Sequence, residues 1–330
     1  MSKRITSVLL MLAYKTNILI LSAIMRYAIM KRSLRFLTLM RLWPKAEGDD
    51  SQILGCFILL SSSILLFGSL GYLVVYGKFG TNDIDAIETT TSQFGVIYFV
   101  VCFMVKRNEV IRIVDLLSDF STFGLPRFFD ERIRKLNFLL LYCIIILTIA
   151  TGGVFICPII FSQSCEKVNQ EMNRTKVCGL VTNIWAPFSY SEYPMKQVVI
   201  FLESYCCFVN LGCAGFVSFI YVESMEHLII RIEQLKDLFS DIANEDDIAI
   251  RQHKLKEWVE YHLLIFEIGK MMSDTYRYSL SVIVFCAGIL FGCIGVSTMQ
   301  FVESSIFISI PLLGMVPIYC YLMCDVSIFA

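Results

Sequence analysis

The chain has 330 residues, a mean hydropathy of +0.67 and 56% hydrophobic residues, with only 17% charged, against roughly 25% in an ordinary soluble domain. That excess cannot all sit in one globular core. A net charge of −1 and a pI near 6.3 leave no basic field to favour nucleic acid and no acidic excess to form a solvating tail.

Met1-Ser2-Lys3-Arg4 followed by Ile5 to Tyr14 resembles the basic and apolar regions of a signal peptide, but Lys15 interrupts it and no small-residue cleavage site follows. Residues 1–34 read as a cytoplasmic, interfacial segment, as an uncleaved extra anchor, or as a start upstream of the natural one; residues 1–50 as a whole are expected to be a cytoplasmic amino-terminal segment. A spanning helix needs about 20 apolar residues, because lipid offers no partner for backbone N–H and C=O groups. Residues 51–77 carry no charge and predict the first span. Residues 89–105 are uncharged but short and open on three threonines; they read as a span or a re-entrant segment, and the sharp Lys106-Arg107 stop favours the second span. Residues 136–162 follow Arg132, Arg134 and Lys135 and form the third, with Pro158 near its far end. Residues 197–221, entered through Tyr193-Pro194, are apolar apart from Glu203 and form the fourth. Residues 278–300 and 304–324 form the fifth and sixth, a hairpin around Glu303.

The polar stretch 223–277 has Leu228, Ile232, Leu235 and Leu238 at helical spacing and predicts two amphipathic cytoplasmic helices, divided near Asn244 to Asp247. The fold class is therefore all-α: a multi-pass transmembrane helical bundle of six spans occupying residues 51–330, with a cytoplasmic N-terminus. Basic residues collect on the side that is not translocated. They are dense before the first span, after the second and after the fourth, and sparse in the other three connections, which places the amino terminus inside. The loop between the third and fourth spans agrees. It carries the N-x-S/T acceptor Asn173-Arg174-Thr175 and the Cys165/Cys178 pair, and both glycan and disulfide need the oxidising, lumenal side. The cysteines read as a loop disulfide or as two free thiols. Most of the remaining cysteines lie in apolar runs, where Cys acts as a small hydrophobe.

Arg41-Leu42-Trp43-Pro44 before the first span, Asn183-Ile184-Trp185-Ala186-Pro187-Phe188 with Tyr193-Pro194 at the end of the long loop, and the stretch from Arg251 through Trp258, Tyr261 and His262 to Met271 form an ordered set. Together with the span spacing and topology, that set resembles the insect odorant receptors over residues 35 to about 325. The resemblance implies a cation channel gated by small volatile odorants, a hetero-tetramer with a co-receptor subunit, and residence in the plasma membrane of the olfactory neuron dendrite among membrane lipid, with no cofactor. The family's pore is lined mainly by a seventh helix, and here the chain ends at Ala330 directly after the sixth span, so the expectation is a receptor lacking that helix.

The resemblance places an odorant pocket in the outer half of the bundle, between the second, third, fourth and sixth helices. An apolar ligand needs aromatic walls with few polar groups, and position along each span selects Tyr98, Phe99, Thr151, Phe155, Phe201, Tyr205 and Phe307; taken singly, each also suits plain helix packing or lipid contact. Glu203 stands about two turns into the fourth span, and an intramembrane carboxylate is costly enough to be a functional candidate, unless the helix begins later and leaves it at the interface. His227, His253 and His262 show neither H-E-x-x-H nor an i, i+4 pairing between ligands, so they read as ordinary polar residues of the cytoplasmic helices and no metal is expected. Those helices read as a subunit anchor. No phosphate loop, nucleophile elbow or paired carboxylates are present, and no catalytic residue is expected. A gustatory receptor is the nearest competing class; a G-protein-coupled receptor would place the amino terminus outside.

Overall fold

The structure, a computed structural model, describes residues 30–39, 42–43, 53–77, 83–160, 162–172, 177–180, 182 and 184–299. The sixth predicted span, residues 304–324, lies outside them. Their regular structure is helical, with no strand among the described residues: α1 Lys31–Leu39, α2 Ile53–Val75, α3 Ile84–Val105, α4 Arg107–Ser118, α5 Phe129–Ile160, α6 Ser162–Met172, α7 Met195–Ala243 and α8 Ile248–Met299. Four of these (α2, α3, α7 and α8) are long and apolar enough to cross a membrane, and α5 covers most of the third predicted span.

Two features depart from the element-by-element reading. The fourth span and the first amphipathic helix are one helix of 49 residues, α7, and the second amphipathic helix continues into the fifth span as the 52-residue α8. At about 1.5 Å per residue each far exceeds a hydrocarbon core of about 30 Å. Each is therefore longer than one crossing needs, and its charged residues gather in the half of α7 after residue 221 and the half of α8 before residue 278. The break falls where composition predicts it. Asp247 caps α8, its Oδ1 accepting from the backbone N–H of Ala249 at 2.8 Å and of Ile250 at 3.3 Å.

The described residues form two compact units. The second unit comprises Leu37–Val105, Leu140–Ser218 and the chain from Tyr278 onward. Within it α2 packs against α3, and three hydroxyls of these apolar helices bond back one turn: Ser61 to the carbonyl of Ile58 at 2.9 Å, Ser63 to Leu59 at 2.7 Å and Thr90 to Ala86 at 2.7 Å. Deeper polarity is paired across helices, where Asn210 of α7 donates to Gln93 of α3 at 2.8 Å.

The first unit takes residues 30–36, Lys106–Leu139 and Phe219–Arg277. Val110, Ile113, Val114 and Leu117 of α4 fall on one face and are buried with Leu228, Ile230 and Leu235 of α7 and Tyr261 and Ile268 of α8. Tyr221 and Tyr276 stack with ring centroids 4.1 Å apart. At the centre stands Arg231, 0% exposed. Its Nη2 donates to the carbonyls of Leu116, Leu117 and Asp119 at 3.0, 3.0 and 2.7 Å, and its guanidinium lies 4.6 Å from the Phe120 ring centroid. A cation thus satisfies the carbonyls that the end of α4 leaves free, at the negative pole of that helix.

Arg231→Met keeps the stem and removes the donors. Stranding a buried acceptor costs about 1–3 kcal/mol, so the variant is expected to show a clearly lower Tm in detergent, whereas Arg112→Met, at an exposed ion pair, is expected to leave Tm unchanged.

Candidate functional site

In the second unit the predicted ligand residues separate into aromatic groups. Phe201 and Tyr205, one turn apart on α7, stack at 6.4 Å, and Phe57 of α2 meets Tyr205 edge-on at 6.2 Å. Tyr98 pairs with Phe94 on α3 at 6.4 Å. Phe99 is buried, while Phe201 is 67% exposed. The side chains of Thr151 and Phe155 on α5, and the whole of Phe307, lie outside the described residues. Of the seven, Tyr98 and Phe99 thus stand on α3 and Phe201 and Tyr205 on α7.

Glu203 is better defined. The helix carrying it starts at Met195, directly after Pro194, so a later helix start does not explain its position, and the side chain is 1% exposed. Burial, then the nearby Glu203 carboxylate, hold the Tyr190 phenol above its usual range, which puts Glu203 beside the end of the long loop. That loop end is fastened to α2. The Trp185 N–H donates to the Gly68 carbonyl at 2.8 Å and the Tyr190 hydroxyl donates to the Ile184 carbonyl. Glycine allows the approach, since a Cβ at Gly68 would stand 3.2 Å from Ile184 Cβ and one at Gly71 3.1 Å from Trp185 Cβ. Further back in the loop Cys178 is buried and disulfide-bonded, and its Sγ accepts from Asn169 Nδ2 at 3.2 Å. The Cys165 side chain and Asn173 lie outside the described residues.

The first unit holds a polar site that the sequence reading passes over. A cavity of about 190 Å³ is lined by Met30, Arg32, Ile133, Leu136, Asn137, Glu223 and His227. Glu223 and His227 stand one turn apart on α7, and His227, expected as an ordinary polar residue of a cytoplasmic helix, is buried rather than solvated. They are 6% and 2% exposed. Burial, followed by the charge of Arg231, pushes the His227 imidazole down to about 3, and burial pushes the Glu223 carboxyl up to about 8 against the opposing effect of Ser33. Both are uncharged at neutral pH. His253 and His262 do match the plain reading: the first faces Glu257 on an exposed surface and the second stacks on Trp258 with ring centroids 5.4 Å apart. A second cavity of about 390 Å³ is lined by Phe128, Glu131, Arg132, Lys135, Glu233, Lys236 and Asp237, where acids and bases are balanced.

These features define a multi-pass helical membrane protein with a loop clamped onto its first long helix and a charged helical extension. Residues 80–327 match the 7tm Odorant receptor family, and the chain belongs to that family. Among solved structures it is similar to the insect olfactory receptor OR5 from Machilis hrabei, at 15% identity and a TM-score of 0.70 over 89% of this chain and 78% of that one. It is likewise similar to the same receptor in complex with eugenol, at 13% identity and a TM-score of 0.68 over 86% and 76%. These likenesses establish the fold. No curated protein sequence matches the chain.

Two outcomes are expected. Gly71→Val forces Trp185 off α2 at a cost of about 1–3 kcal/mol, read as a lower Tm and faster proteolysis between residues 184 and 194. A double-mutant cycle on Gln93→Leu and Asn210→Leu gives a coupling of about 0.5–2 kcal/mol, the range for hydrogen bonds between helices in lipid; a coupling of zero removes the interhelical role of that pair.

Proposed function

We propose that this chain is the odorant-binding subunit of a ligand-gated cation channel, assembled with a co-receptor subunit in the plasma membrane. The observation that carries the reading is family membership over residues 80–327. The charge distribution favours a cytoplasmic amino terminus, six spans as laid out above, and a lumenal loop bearing a Cys165–Cys178 disulfide and a glycan on Asn173. Odorant binds in the outer half of the bundle against Tyr98, Phe99, Thr151, Phe155, Phe201, Tyr205 and Phe307. The charged half of α8 serves as the subunit anchor. Leu255, Val259, Leu263 and Phe266 are exposed there, and an apolar face outside the membrane must be buried against something.

The ligand class is small and apolar, with at most one or two polar groups. Eugenol, present in the complex of the Machilis hrabei receptor, is a reasonable member of a first panel and nothing more at 13% identity. The experiment is co-expression with a co-receptor, confirmation of surface delivery by endoglycosidase sensitivity against an Asn173→Gln control, and recording of odorant-evoked current across a panel of volatile apolar compounds. Current from the pair that neither subunit gives alone is expected. Phe201→Ala and Tyr205→Ala are expected to raise the half-maximal concentration about tenfold, a shift of about 1.4 kcal/mol. Surface-delivered pairs silent to the whole panel would overturn the gating reading, and unshifted Phe201 and Tyr205 variants would remove those residues from the pocket.

A further inference from the structure

We propose that Glu203 and the tyrosines around it form a subsite for the ammonium group of a protonated amine ligand. The inference rests on the reading of this chain as an odorant-binding subunit and names the class of ligand it takes. Glu203 follows the start of α7 at Met195 by about two turns, and its side chain is 1% exposed. Burial, then Glu203, then Tyr72 and last Tyr76 push the Tyr190 phenol up, against the opposing effect of its bond to Ile184, so these four side chains share one neighbourhood. Tyr72 of α2 and Tyr76 just beyond its end have ring centroids 5.7 Å apart. The loop end that carries Tyr190 is held against the same stretch of α2, where Trp185 packs on Gly71 and donates its backbone N–H to Gly68.

The chemistry of the set selects the ligand. Tyr190 spends its hydroxyl hydrogen on the Ile184 carbonyl, which leaves its oxygen as an acceptor, and each tyrosine ring presents a negative face. A carboxylate beside such faces attracts a cation. Among small volatile molecules the common cation is an aliphatic amine, protonated at neutral pH as the lysine side chain is; it is volatile as the free base and charged once dissolved. An acid at membrane depth marks a ligand or ion path by default, and in the topology proposed above this is the outer end of α2 and α7, where a ligand from outside arrives. Exposure falls along the way in: Tyr76 is 62% exposed, Tyr72 and Tyr190 are half-buried, and Glu203 is closed off at the base. One cation is near in sequence, Lys196, about two turns before Glu203 on α7, and its ammonium is turned to Gly179.

The test reads binding on the full chain purified in nanodiscs, by ligand-induced thermal stabilisation, so that it stands apart from gating. The probes are cyclohexylamine and cyclohexanol, which match in shape and differ in charge. The expected result is saturable stabilisation by the amine, with an affinity at least about tenfold above that of the alcohol. Glu203→Gln is expected to abolish that preference and leave the affinity for the alcohol unchanged. If this variant fails to fold, Tyr76→Leu, at a largely exposed position, is expected to weaken amine binding about threefold and leave the alcohol unaffected. Equal affinities for the two probes overturn the proposal, as does an absence of amine binding. A preference kept in full by folded Glu203→Gln, or by Tyr76→Leu where it stands in, overturns it too. An amine that binds with this preference but evokes no current with a co-receptor supports the subsite and counts against the gating reading alone. Odorant-evoked current without any amine preference in binding overturns the subsite and leaves the gating reading standing.

Discussion

A peptide group in hydrocarbon has no water to bond, so its N–H and C=O must be satisfied inside its own helix. In α7 and α8 that ladder runs unbroken beyond the apolar residues that require it. The consequence is register. Once α7 continues past Tyr221 without a break, Glu223, His227 and Arg231 fall at i, i+4 and i+8 along one stripe, and all three are buried. The helical period alone sets that stripe, since residues four apart share a face, and the polar interior of the first unit is built on it.

Satisfying that interior separates the three residues. Arg231 is engaged by the carbonyls that α4 leaves over, and its guanidinium lies over the Phe120 ring, so its charge meets the negative end of a helix. Removing a buried charge's partners costs several kcal/mol, and this arrangement offsets part of the burial of Arg231 by using backbone carbonyls on Nη2 in place of a carboxylate. Glu223 and His227, two turns and one turn earlier, have no comparable arrangement: burial drives both to their neutral forms. The surface pairs of the same unit, such as Arg127 with Asp241 at 3.4 Å and Arg112 with Glu267 at 3.9 Å, are exposed and contribute little by comparison.

Much of this order was legible before any coordinates. Runs of uncharged residues mark spans because one buried charge outweighs several apolar side chains, and α2, α3 and the apolar parts of α5, α7 and α8 lie where those runs lie. The divide at Asn244 to Asp247 was equally plain, because it ends in an N-capping aspartate. Helix continuity was hidden. At Glu223 and again at Arg277 the composition changes abruptly, and a change of solvent reads like a change of element although the backbone feels none. The helix α4 was missed although Val110, Ile113, Val114 and Leu117 carry the helical period, because a short stretch among charges has no run to announce it. The helix α6 offers weaker apolar spacing still, in a stretch otherwise marked by its glycan acceptor and cysteines. The burial of His227 beside Glu223 was not legible, because the charged composition around it reads as a solvated helix face.

The odorant site stays less legible than the fold for a reason that belongs to lipid. A pocket wall for an apolar ligand and a helix face against acyl chains call for the same side chains, so Phe201 at 67% exposed and Phe99 at 2% are both compatible with ligand contact and both compatible with none. Polar groups carry more information at membrane depth because each needs a stated reason. Gln93 and Asn210 have theirs in each other. Glu203 has the neighbourhood of the loop end that Trp185 and Tyr190 hold in place. If an apolar ligand is oriented by one polar group, Glu203 and the tyrosine beside it are stronger discriminators than any phenylalanine. A misplaced hydrogen-bond partner leaves a buried group unsatisfied, whereas one methylene more or less in an apolar wall shifts binding by only about 1–3 kcal/mol.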